Sequence, residues 1–139
     1  MPAGATQSGW SWDYPMVASG DMTASGIYRF VTHAGTPKRF VRSSTASGPA
    51  PIGILQGTPR SLEEAEVRIL GTSLLYVNAD TAITYGDYLT AASLGEGVVT
   101  TTGSSVAAIA LDSVASGSMI LIEVLLVPYG SGNKSDNTV

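Results

Sequence analysis

Cysteine is absent from this 139-residue chain, which excludes a disulfide framework and any thiolate metal site. Small secreted domains usually carry disulfides, so the absence points to assembly in a reducing compartment. Charge is scarce as well. Asp, Glu, Lys and Arg supply 13% of the residues, about half the usual share. Long apolar runs are missing: the longest, Met119 to Val127, is interrupted by Glu123 and falls far short of the roughly 20 residues a membrane-spanning helix needs. The N-terminus has no basic lead-in followed by an apolar stretch, so neither a signal peptide nor a membrane partner is expected.

Groups that do chemistry are few. His33 is the only histidine, and no Gly-x-Ser-x-Gly elbow accompanies the many serines, which leaves a hydrolytic triad without its usual setting. Gly53 to Gly57 lacks the Gly-Lys-Ser/Thr ending of a phosphate loop. Glu63, Glu64 and Glu66 form the only dense acidic group, and two-residue alternation sends Glu64 and Glu66 to one solvated face beside Arg68. We therefore expect no enzyme, no metal and no cofactor.

What the chain has instead is Gly, Ser, Thr and Ala, a composition suited to short strands joined by tight turns. A surface this poor in charge is often one that another molecule covers. The net charge of −4 is unevenly spread. Residues 1–50 carry four basic side chains (Arg29, Lys38, Arg39, Arg42) against Asp13 and Asp21, while residues 51–139 carry three basic against nine acidic. That asymmetry fits contact between a basic edge of one subunit and an acidic face of the next. Four cations without interleaved aromatics make a weak footprint for nucleic acid, which is not expected as a partner.

Strands are expected near Ile27–Val31, Arg39–Val41, Ile52–Gln56, Glu64–Leu70, Ser73–Val77, Tyr88–Ala91, Val98–Thr101, Ala107–Leu111 and Met119–Val127. Over Glu64–Leu70 the signals conflict. Ser61-Leu-Glu-Glu64 matches a helix capping box, yet Ala65, Val67 and Ile69 alternate with Glu64, Glu66 and Arg68 until Gly71 stops the pattern. The alternation favours strand. The expected fold is all-β, a small and mostly antiparallel barrel or sandwich. Residues 1–25 read as an extended N-terminal arm, 26–128 as one β-rich domain, and 129–139 as a polar tail.

Binding residues, if any, are apolar. Trp10, Trp12 and Tyr14, followed by Pro15, sit at a spacing of two that puts all three rings on one side of an extended backbone. Trp and Tyr are favoured anchors of protein interfaces. In Met119–Val127 one face can enter a core, which leaves Leu121 and Leu125 needing cover, from the same subunit or from another.

Ile52-Gly-Ile-Leu-Gln56 with its Pro turn, Ala65-Glu-Val-Arg-Ile-Leu-Gly71, Ala82-Ile-Thr-Tyr-Gly-Asp-Tyr-Leu89, Ala108-Ile-Ala-Leu111 and Ser116-Gly-Ser-Met-Ile-Leu-Ile-Glu-Val-Leu-Leu126 follow in an order and spacing that resembles the capsid decoration, or cement, proteins of tailed bacteriophages. The resemblance covers roughly residues 24–127. It implies a β-rich protein made in the host cytoplasm that joins the virion on the outer capsid surface, often as a trimer. There it would bind the major capsid protein after shell expansion and staple neighbouring capsomers against internal pressure. The aromatic arm and the polar tail lie outside it. Two other readings stay open: another virion component of tail or head completion, and a carbohydrate-binding β-domain that uses the rings as sugar platforms.

Overall fold

A computed structural model describes residues 11–43, 50–100 and 105–127. Among these residues there are ten strands: β1 (Trp12–Ala18), β2 (Phe30–His33), β3 (Arg39–Arg42), β4 (Gly53–Leu55), β5 (Glu64–Leu70), β6 (Thr72–Ala79), β7 (Tyr88–Ala91), β8 (Gly97–Val99), β9 (Ala108–Ala110) and β10 (Ser118–Leu126). No helix occurs among the described residues. The strands close into two five-stranded barrels, in the order β1-β3-β2-β4-β5 and β10-β6-β8-β7-β9. Pairing is antiparallel except between β1 and β3 and between β6 and β8.

The expected all-β class is present, and each expected strand has a counterpart, but the one expected over Ile27–Val31 starts only at Phe30, because residues 27–29 form a turn in which Tyr28 takes φ 60°. At β5 the alternation prevails over the helix capping signal. Val67 is fully buried while Glu64 and Glu66 stay exposed; a helix would set Glu64 and Val67, three apart, on one face, whereas a strand sends them to opposite faces. Glu63 still caps locally: its carboxylate accepts the Arg60 backbone N–H at 2.8 Å, inside a turn rather than a helix. Gly71, at φ 94°, ends β5. This left-handed step, easy only for glycine, turns the chain from the first barrel into the second.

One element differs from expectation. Residues 1–25 were expected as an arm, but Trp12–Ala18 is the first strand of the first barrel. It runs antiparallel to β5 from Trp12↔Leu70 to Val17↔Glu64. The physical reason is that the period of two seen in the rings continues through Met16 and Ala18, both buried in the core. Gly-, Ser- and Thr-rich neighbours hid so short a pattern. Residues 1–10, including Trp10, lie outside the described residues, as do 128–139 with the expected polar tail.

The β-rich region, expected as one domain, holds two cores. The first contains Met16, Ala18, Met22, Val31, Phe40, Leu55 and Val67. The second is built from Leu75, Val77, Ile83, Leu89, Ile122, Val124 and several alanines, and it also takes in Phe30 and Ile54 from the first barrel's strands. Phe30 therefore belongs to one barrel by pairing and to the other by packing. The junction is further tied by Phe30 N–H to Gly95 C=O at 2.8 Å and by Tyr76 N–H to Tyr28 C=O at 2.8 Å. Arg29 bonds the Leu94 carbonyl at 3.1 Å and lies 4.6 Å over the Tyr76 ring.

Candidate functional site

The first barrel is open at one end. Trp12 and Tyr14 share the inward side of β1 with Met16 and Ala18, but they stand beyond the packed core and stay 54% and 39% exposed. Here they line a hollow of about 460 Å³ together with Met16, His33, Ile52, Ile69 and Leu70. Its wall is almost wholly apolar, and the volume falls in the range of ordinary ligand and side-chain pockets. His33, at the end of β2, is the polar group on the lip.

The edge of β1 beside this mouth is closed to strand addition. Val17 and Ser19 donate their N–H groups toward β3, to Lys38 and Phe40 carbonyls at 2.9 Å each. The period of two puts residue 15 on that same side, and residue 15 is Pro, which has no N–H to offer. An incoming chain therefore gains little by pairing with this strand. It can gain by inserting side chains between the rings.

Across the back of β1, Asp13 meets Arg68 of β5 in a two-point ion pair, Nε to Oδ1 at 2.7 Å and Nη2 to Oδ2 at 3.1 Å. Arg68 also reaches the Thr72 carbonyl at 3.2 Å. The hydrogen bond to Asp13 raises the Arg68 pKa above its ordinary value, so the guanidinium stays charged. The pair locks β1 to β5 on the outer side, which fixes the strand that carries the two rings.

Leu121 and Leu125 occupy a different place. In β10, Ile122, Val124 and Leu126 enter the second core, whereas Leu121 and Leu125 face out at 44% and 40% exposure. Register sets Leu121 opposite Tyr76, Glu123 opposite Leu74, and Leu125 between Thr72 and Ile109. The outcome is a broad apolar wall on the second barrel with one carboxylate, Glu123, inside it. The first sequence-derived group (Trp12, Tyr14, Pro15) and the second (Leu121, Leu125) are thus on separate barrels and do not form one site. Among the described residues no group of three or more His, Asp or Glu is gathered closely enough to hold a metal ion.

No protein-family model and no curated protein matches the sequence. Among solved structures, the N base of the head fiber gp8.5 of bacteriophage phi29 is similar, with a TM-score of 0.61 and 16% sequence identity over 85% of this chain and 95% of that one. The two share a fold. At that identity the likeness extends to backbone architecture and not to individual site residues.

Sequence reasoning singled out the rings but missed what surrounds them. By sequence, Ile52, Ile69 and Leu70 are only members of expected strands, and His33 is only a lone histidine without a triad, yet all four line the hollow. The signal was present in part: Ile69 has the parity of Val67, so it had to face the inside of the barrel, but only closure of β1 onto β5 brings it beside Trp12.

Proposed function

We propose that this chain is a structural component of a phage virion, binding the outer surface of the expanded head and bridging neighbouring capsomers. The open mouth of the first barrel is the anchor: Trp12 and Tyr14 receive an apolar segment of the major capsid protein. The observation that carries this reading is a ring-lined, almost wholly apolar hollow on a strand whose edge is blunted by Pro15. Such a mouth suits insertion of large apolar side chains and offers little to hold a sugar or a charged substrate. The shared fold with a phage head-fiber base lends support, and it favours a second reading comparably, in which the chain is a fiber-base component of the head rather than a staple.

The test mixes purified protein with undecorated expanded shells and images them. Density bridging adjacent capsomers at regular lattice points supports the staple, density confined to isolated attachment points supports the fiber base, and bare shells overturn both. The double substitution Trp12→Ala, Tyr14→Ala removes two exposed rings without touching the buried core. It is expected to weaken shell binding roughly 10–100-fold, and undiminished occupancy would remove the mouth from the contact.

A further inference from the structure

The two barrels differ sharply in charge. Residues 72–127, which contain the whole second barrel, include Asp80, Asp87, Glu96, Asp112 and Glu123 and neither a lysine nor an arginine. Every described cation belongs to the first barrel and its connections: Arg29, Lys38, Arg39, Arg42, Arg60 and Arg68. Three of these six have partners for their side chains in the structure, and a fourth stands apart from them in a turn. Arg29 and Arg42 are used at the junction, bonding Leu94 and Ser25, Arg68 is paired with Asp13, and Arg60 stands in the turn before β5. Lys38 and Arg39 remain, with no ion pair among the described residues.

Lys38 and Arg39 are adjacent where the β2–β3 turn enters β3, Lys38 exposed in the turn and Arg39 half-buried on the strand. Lys38 holds φ 62°, a left-handed conformation that a lysine rarely adopts, at the end of the β2–β3 turn. Arg39 lies opposite Val17 in the parallel β1–β3 pair, so its side chain shares the outward side with Val17 and Val41. Pro15 and Pro37 are exposed near them. This is a mixed surface of small apolar groups with two cations.

The wall of the second barrel is its counterpart. Leu74, Leu121 and Leu125 are each at least 40% exposed and surround Glu123, which also has no ion pair among the described residues. Asp112 adds a second carboxylate beside it, accepting the Glu123 backbone N–H at 3.0 Å. Packing this wall against the same wall of another copy would bring acid onto acid with no cation of its own between. Like charges brought together in this way are strongly disfavoured.

We propose that the Glu123 wall of one copy docks on the Lys38–Arg39 wall of another copy of this chain. The contact is head-to-tail, so it makes a closed ring if the rotation between copies closes and an open chain if it does not. Apolar side chains exclude water, and the Glu123 carboxylate meets the Lys38 ammonium or the Arg39 guanidinium. The contact depends on this chain alone and stands whether or not a capsid shell is its ligand.

Sedimentation velocity on the full chain tests it. The wild-type protein is expected to self-associate at micromolar to tens-of-micromolar concentration, more weakly as salt rises. Glu123→Lys, and separately Lys38→Glu with Arg39→Glu, are each expected to raise the self-dissociation constant roughly 10-fold or more. None of the three groups belongs to either buried core, and unchanged thermal melting would confirm that folding is intact. The decisive variant combines all three reversals in one chain. Restored association supports a head-to-tail contact between these walls, because only that contact regains opposite charges. A triple variant that stays monomeric, a wild type that is monomeric at 100 µM or so, or single reversals that associate normally would each overturn it.

Discussion

The two barrels have the same strand number and closure but differ in how they treat their ends and walls. The first gives several of its charges specific jobs, an ion pair on the outside and cations at the junction, and leaves its mouth open around Trp12 and Tyr14. The second fills its interior with Leu, Val, Ile and Ala and exposes apolar side chains sideways from β6 and β10. One barrel offers a hollow and the other a flat wall. Closing a sheet on itself fixes only the inward face of each strand, so the end of the barrel and its outer wall stay free to differ.

The contrast breaks if the barrels are not one cooperative unit. Phe30 decides this, because it pairs in the first barrel and packs fully buried in the second core. Phe30→Ala is expected to cost about 3–5 kcal/mol, the largest effect of any substitution considered. Of the two tryptophans, Trp12 stands on the first strand of the first barrel, so in a Trp10→Phe background its fluorescence follows that barrel, while far-UV circular dichroism follows both. Coincident denaturant transitions by the two probes are expected in the wild type and in the variant. Separate transitions would mean two independently stable barrels that merely touch.

The strands were legible in the sequence because a half-buried strand writes its burial as alternation. Glu64–Leu70 shows this best: Val67 in, Glu64 and Glu66 out, against a helix cap immediately upstream. Division into two barrels was not legible. It depends on which strands close on which, and Gly71, the residue where the chain changes barrel, looks like any other turn glycine until its neighbours are known. The candidate site was half legible for the same reason. The rings announced themselves by chemical type and spacing, whereas Ile52, Ile69 and His33 join them only through closure of the sheet. Leu121 and Leu125 were readable as a face needing cover, since alternation alone separates them from Ile122 and Val124.

A smaller effect sharpens how closely the barrels are held. Gly95 has φ 80°, and a Cβ there would stand 2.9 Å from the Phe30 carbonyl oxygen and 2.8 Å from Arg42 Cγ. The Phe30 N–H is also bonded to the Gly95 carbonyl. Backbone conformation and space both demand glycine at this point. Gly95→Ala is expected to cost about 1–3 kcal/mol, read as a lower denaturation midpoint with an unchanged slope. A neutral Gly95→Ala would show that the loop before β8 can move away from Phe30, and the junction would then rest on side-chain packing alone.

The smallest effect belongs to the ion pair that, among the described residues, only the first barrel has. Asp13 and Arg68 are about a quarter exposed, so solvent screens their attraction although the geometry is two-pointed. Their coupling in a double-mutant cycle, Asp13→Asn with Arg68→Gln, is expected at about 0.5–1 kcal/mol and should shrink as salt is added. The consequence for function is larger than that figure suggests, since the pair holds β1 on β5 on the side opposite the rings. Asp13→Asn is therefore expected to loosen Trp12, seen as faster quenching of tryptophan fluorescence by acrylamide, with hardly any change in the melting of the second barrel. Equal loosening of both barrels would mean that the ion pair acts on overall stability and that the mouth of the first barrel keeps its shape without it.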